Sequence, residues 1–395
     1  MVGSVENRLE AGLRGSMPIS LIHTSAPGEQ AAASAIAAQL PDREGFTALF
    51  CTSQYDLGHL GEALCAAGHD HVVAAATSRA IGPAGILKEG ISGFYLPAGR
   101  FRVADVLIDS VARFHLPDAR EVVHALLRSL SAANESDWPH RFAMLFVDAE
   151  PRCEERLVAA LGTELGGVPL IGGSAGDLYF NPLRQGVSAA RVLHRGRAVR
   201  GGAVFSIIAS RDPVLALCHH HYVPGSRRLV VTDADPERRV VREFDGRSAL
   251  HVYAAACGFR SVPKDVGPFA SHPLMVKVGG QYYVRGMQRI LEDGALEFAC
   301  AIEPGLVVTV ARPVDMLTRL AGTFEAMQET LAATELIIGF DCATRTAYME
   351  QNGLTNAVST LFEKHRVVGF STLGEQFNTM HMNNSFTCLG VAVSK

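Results

Sequence analysis

The chain has 395 residues, 48% hydrophobic and 19% charged, with 36 Lys and Arg against 40 Asp and Glu for a net charge of −4. That is material for two to three domains of about 100–200 residues each, and it excludes wholesale disorder and the basic excess of a nucleic-acid binder. No apolar run approaches the roughly 20 residues that cross a bilayer, and residues 1–14 mix both charge signs without an apolar stretch, so the expectation is a cytoplasmic protein with a loose tail over 1–18.

Three segments share one pattern: a short apolar strand, a helical stretch, then a second apolar strand ending in small residues. The first spans Phe46–Ser53, a helix carrying Leu57, Leu60 and Leu64, and a strand from His71 to Thr77. After a loop at Ser131–Pro139, the second has a strand from Phe142, a helix with Leu157, Leu161 and Leu165, and Val168–Asp177 ending in IGGSAGD. The turn-rich, charged stretch 211–247 marks a boundary, and Gly246 opens a helical SALHVYAAACG. The last copy is Glu335–Arg345, a helix with Leu354, Val358 and Leu361, and His365–Glu375.

Each unit reads as a crossover, because a helix of that length is what joins two parallel strands of one sheet. Val73 to Ile171 is 98 positions and Ile171 to Val368 is 197, so the register predicts an eroded fourth copy near residue 269. Further strands without intervening helices (Ile91–Leu96, Gly202–Ser210, from Phe386 on) fit mixed sheets better than a purely parallel, doubly wound one. The fold class expected is α/β, with mixed sheets flanked by helices.

The same segments resemble the FIST family, a bacterial sensory domain with N- and C-terminal parts. The resemblance is carried by DGRSALHVYAAACG (Asp245–Gly258), HPLMVKV (His272–Val278) and VRGMQRILEDGAL (Val284–Leu296). FDCATR (Phe340–Arg345), VVGFSTLGE (Val367–Glu375) and NNSFTCLGV (Asn383–Val391) complete the C-terminal part, and IGGSAGD with GRAVRGGAVF (Gly196–Phe205) resembles turns of the N-terminal part. It implies a two-domain architecture, an N-terminal domain over 19–245 and a C-terminal domain over 246–395. The stretch from His219 to Gly246 is also similar to FIST proteins that bind haem, sense nitric oxide and regulate a histidine kinase.

Haem iron needs an axial donor, an apolar slot and cations near the propionates. His219, His220, His221 and Tyr222 offer donors, and Arg227 and Arg228 offer planar forks for carboxylates. On a strand His219 and His221 would share one face, and the resemblance favours His221 as the metal ligand. A solvated strand end and a zinc site are the competing readings of this run. Cys218 is a second donor candidate as a thiolate, and His381 with Met382 a third. Arg285 and Arg345 suit a carboxylate-bearing ligand. Glu375, with Asn383 and Thr387, suits an amine or guanidine.

The eight cysteines are scattered without a CxxC pair, so structural zinc and covalent haem are not indicated. IGGSAGD lacks the Lys and spacing of a phosphate loop. Cys342 and Ser174 are the nucleophiles on offer, but no nucleophile elbow, HExxH or carboxylate pair accompanies them. The sequence reading is therefore a sensor rather than an enzyme, with a haem-free metabolite sensor and a small hydrolase or transferase as alternatives. A homo-oligomer is left open.

Overall fold

The computed structural model describes residues 17–131, 137–149, 152–176 and 191–394. Most of the tail (1–16), part of the 131–139 loop and Asp177 of the IGGSAGD turn lie outside these residues. The fold is mixed α/β. One compact unit comprises residues up to Cys218 together with Thr323–Met380 and Phe386 onward; a second comprises His219–Gly322 and His381–Ser385.

The three sequence repeats are the frame of the first unit. Phe46–Thr52 pairs in parallel with Val72–Thr77, His140–Asp148 with Leu170–Ala175, and Thr334–Cys342 with Val367–Thr372. Helices Leu57–Ala66 and Glu154–Glu164 make the first two crossovers, and Ala343–Gln351 with Thr355–Lys364 make the third. The helical spacing read from the sequence is the buried face in the first two, where Leu57, Leu60, Leu64, Leu157, Leu161 and Leu165 are all interior. In the third, Val358 and Phe362 take that role while Leu354 and Leu361 are half-buried. Asp56 caps the first crossover helix by accepting from the His59 amide at 3.0 Å.

Each pair is the centre of a six-stranded sheet with antiparallel neighbours on both sides. The outer neighbours are exchanged between repeats. The hairpin that follows the first pair (Ala80–Gly82, Gly85–Leu87) adds to the third pair, and Val192–His194, which comes after the second pair, adds to the first. Glu375–Phe377, after the third pair, adds to the second. The exchange closes a ring: each repeat completes its neighbour's sheet.

The ring has a dry interior. Phe50, Phe146 and Phe340 occupy the same position in their three strands, and their ring centroids lie 5.6, 6.1 and 6.4 Å apart. Phe370 packs against all three. The strands Ile91–Leu96, Ala203–Ser210 and Phe386–Ala392 are buried along their whole length. They flank parallel pairs, so one face meets the ring interior and the other the helix layer. At Gly369, opposite Gly339, any Cβ would stand 1.6 Å from the Gly339 carbonyl oxygen, so only glycine lets these strands approach.

The second unit is built on antiparallel pairing. Its sheet runs in the order Gln281–Arg285, Leu274–Val278, Val307–Pro313, Tyr222–Asp235, Val240–Phe244, Leu296–Phe298, Met287–Ile290. Helix Ala249–Ala256 packs Ala249, Leu250, Val252 and Tyr253 onto Leu229, Val241, Leu274 and Val308. This corrects the fourth repeat expected near 269. There a one-turn helix at Gly267–Ser271 leads into the hairpin of Leu274–Val278 and Gln281–Arg285, whose strands pair antiparallel without a crossover helix. The division drawn at 245/246 falls on a tight turn inside this unit, where Asp245 and Gly246 both have positive φ and Phe244 faces Arg247.

Candidate functional site

Two polar centres form within these units, one in each. In the first, the registers define three equivalent positions against the aromatic interior: Ala80 opposite Phe370, Val192 opposite Ala75, and Glu375 opposite Gly173. All three are fully buried. Where the ring's quasi-symmetry calls for a small apolar side chain, the third repeat places a carboxylate. Thr372 donates its hydroxyl to Glu375 Oε1 at 2.6 Å.

Around Glu375 the hydrogen bonds are dense. Gln376 Nε2 donates to Ser174 Oγ at 2.9 Å, and the Ser174 amide donates to the Gly374 carbonyl at 2.8 Å. Thr77 Oγ1 donates to the Ser371 carbonyl at 2.7 Å, tying the first repeat to the third. Arg345, on the first turn of Ala343–Gln351, is wholly buried and donates from Nε to Asp341 Oδ1 at 2.5 Å. Burial pushes the Asp341 carboxyl above its ordinary range, against the pull of Arg345. Burial likewise raises the Cys218 thiol, and Glu375 adds to the effect while Arg345 opposes it; the result is about 12. At neutral pH Cys218 is a thiol, which disfavours it as a thiolate ligand in the ligand-free protein.

The second centre holds the histidine run. The strand expected to carry it breaks there: Val214–His219 ends at the first histidine and Tyr222–Asp235 starts after the third. His219 and His221 are nevertheless interior, 4% and 0% exposed, and the solvated strand end is not what forms. His221 lies against the Tyr222 ring with centroids 4.2 Å apart. The Tyr222 hydroxyl donates to the Ala270 carbonyl at 3.1 Å, and His220 Nε2 lies 3.2 Å from the Tyr282 carbonyl. Met275, Val284 and Ala311 pack with Tyr222 as an apolar wall.

Arg227 and Arg228 are exposed on the following strand, a correction to their expected place beside the histidines. Arg227 lines a surface cleft of about 520 Å³ with Pro224, Gly225, Ala256 and Arg312, and no histidine lines that cleft. The four ligand-facing residues divide. Arg345 and Glu375 belong to the first unit, Arg285 and Asn383 to the second. His381 and Met382 are buried on the short strand Met380–Met382. Among the described residues no group of three or more His, Cys, Asp and Glu side chains is placed to hold a metal ion.

Family models match the two halves of this sequence in order. The FIST N domain covers residues 45–247 and the FIST C domain residues 249–378. The chain belongs to the FIST family. FIST domains are sensory domains of signalling that bind small ligands. No curated protein matches this FIST chain. Among solved structures it is similar to cyanuric acid hydrolase from A. caulinodans, at 9% identity over 95% of this chain and 99% of that one, with a TM-score of 0.38. Another cyanuric acid hydrolase structure matches at 10% identity over 95% and 98%, with a TM-score of 0.34. Among the described residues of the FIST protein, no helix is long and apolar enough to cross a membrane.

Sequence reasoning had named Glu375 and Arg345 but missed Asp341, Thr372 and Gln376, which complete their surroundings. Aligning the three repeats would have exposed the odd carboxylate at the position of Ala80 and Val192.

Proposed function

We propose that this FIST protein is a cytoplasmic, haem-binding sensor of nitric oxide that controls a histidine kinase by non-covalent contact. The observation that carries the reading is the burial of His219 and His221. A run of adjacent imidazoles inside a protein is costly to desolvate, and it is kept where the rings have a task. The residues fit haem in part. His221 would supply a donor nitrogen for the iron, and Met275, Val284 and Ala311, packed with Tyr222, would supply an apolar wall. The propionate partners expected at Arg227 and Arg228 do not share that interior.

Bound haem supplies an iron centre that takes a diatomic ligand. The chain's own part is to hold and orient the donor. Tyr222, anchored through its hydroxyl to Ala270, packs on the His221 imidazole and limits its rotation. A partner kinase reads the ligand only if it binds the two states with different affinity. A binding role rather than a catalytic one is supported at one of the nucleophile candidates. Ser174 Oγ accepts from the Gln376 side-chain amide, a group that does not act as a base.

The deciding measurement is the absorption spectrum of haem-reconstituted protein beside His221→Ala. The expected result is a Soret band that moves on adding nitric oxide and is shifted or lost in the variant. A band unchanged by the substitution moves the ligand to His219 or another donor. No band overturns the haem reading and leaves the haem-free metabolite sensor; turnover of a chromogenic ester or amide would favour the hydrolase instead.

A further inference from the structure

We propose that Arg285 and Asn383 form a receptor for a carboxylate group inside the second unit. Arg285 is 8% exposed at the end of strand Gln281–Arg285, opposite Leu274. One guanidinium nitrogen, Nη1, donates to the Val284 carbonyl at 3.2 Å, Nε is buried without a partner, and no acidic side chain pairs with the group among the described residues. Asn383 is 1% exposed, and both its amide nitrogen and its amide oxygen are buried without partners.

The backbone holds these groups near each other. Gly286 follows Arg285, and a Cβ built on it would lie 3.6 Å from Asn383 Cβ and 3.5 Å from Asn384 Nδ2, so the Asn383–Asn384 turn rests on the bare backbone beside Arg285. His272, two residues before the strand partner of Arg285, adds a further buried nitrogen without a partner, Nδ1.

A guanidinium does not deprotonate in proteins, so burial leaves Arg285 charged. A buried charge without a counter-ion is strongly unfavourable, and so is a buried amide with both ends unmade. One singly charged planar acceptor answers both: a carboxylate takes N–H bonds from Arg285 and from Asn383 Nδ2. Asn383 Oδ1 remains to accept from a hydroxyl or N–H next to that carboxylate. The carboxylate has two sources, a haem propionate or a free small carboxylate. The site does not depend on which histidine holds iron.

The test uses full-length protein made without haem. In the first arm, melting temperature is followed with lactate and with succinate, against chloride and phosphate. A ligand that binds only the folded chain at 100 times its Kd is expected to raise the melting temperature by about 3 °C or more. In the second arm, haem is compared with haem dimethyl ester; loss of affinity on esterification, about tenfold in wild type and absent in Arg285→Gln, assigns the carboxylate to a propionate.

Two variants keep the proposal falsifiable. Arg285→Gln is expected to leave the ligand-free melting temperature unchanged or higher, because it removes an unpaired charge, and to abolish either response. Asn383→Asp supplies an internal carboxylate and is expected to raise the ligand-free melting temperature while cancelling the carboxylate effect. A fall in stability of ligand-free Arg285→Gln, or responses indifferent to both variants, overturns the proposal. So does the absence of any response in both arms. A Soret band insensitive to Arg285→Gln and to esterification sinks this site while leaving the haem reading in place.

Discussion

Arg100 and Arg345 of the first unit and Arg285 of the second are buried on different terms. In the first, Arg100 is 1% exposed and sits between two carboxylates, with Nε donating to Asp212 at 2.8 Å and Nη2 to Glu335 at 2.7 Å. Arg345 is 0% exposed and paired with Asp341. In the second unit Arg285 is almost as buried, with no acidic partner among the described residues. The pairing of Arg100 joins segments far apart in sequence: Glu335 lies at the start of the third repeat's first strand and also accepts the Ile19 amide at 2.7 Å. Such groups close the ring. An unpaired guanidinium closes nothing, and its cost marks a place held ready for something else.

The sharpest way to break this comparison is Arg100→Ala. It strands Asp212 and Glu335 at a site that keeps little water, and breaking a buried pair by removing one partner costs about 3–5 kcal/mol. Urea unfolding is expected to show a loss of that size. A loss below about 1 kcal/mol would mean the pairing is a surface-like ion pair and the contrast with Arg285 is empty.

Gly173→Val comes next. Its Cβ would stand 2.3 Å from Thr372 Cγ2 and 2.8 Å from Phe370 Cζ, inside the aromatic interior. Overpacking of this kind costs about 1–3 kcal/mol. The same unfolding measurement checks it, and a neutral result would show that the ring interior yields where the close-packed Phe50, Phe146 and Phe340 say it should not.

How much of this was readable in the chain follows from how local each signal is. The strand-helix-strand units were legible because apolar spacing on Leu57, Leu60 and Leu64 and the short runs beside them are local patterns. The exchange of hairpins was not, since nothing in Ala80–Leu87 says that its partner is Phe370 rather than its own repeat. The extra copy expected at 269 failed because a doubled interval has two causes, an eroded repeat or an inserted unit, and spacing alone does not separate them. Of the candidate site residues named from the sequence, Glu375, Arg345, Arg285, Asn383 and His221 are all buried. Their division between two units was not legible, because the chain leaves the first unit at His219, returns at Thr323 and visits the second again at His381–Ser385. The surface position of Arg227 and Arg228 was also hidden, since adjacency to histidines says nothing about which face a bulged strand presents.

The subtlest expected effect lies in pH. Two buried carboxylates of the first unit are shifted in opposite directions. Burial would raise Asp105, but His194 Nε2 at 3.2 Å and the charge and hydrogen bonds of Arg195 outweigh it and hold the carboxyl below its ordinary value. Stability from Asp105 is therefore present above the unfolded pKa of about 3.9 and lost as pH falls through the lower folded value. Asp341 is the reverse: burial raises it despite Arg345, so the folded chain holds the proton more tightly than the unfolded chain. That contribution is present below about pH 3.9 and is lost as pH rises through the raised folded value. Arg345→Met removes the opposing charge and drives Asp341 further up, and each added unit costs about 1.4 kcal/mol once pH exceeds the folded value. Relative to wild type, the variant is expected to unfold at similar urea concentration at pH 4.5 and at clearly lower concentration at pH 8. An equal deficit at both pH values would assign the loss to packing around Arg345 and not to the carboxylate it faces, and the paired arginines of the first unit would then owe their burial to shape.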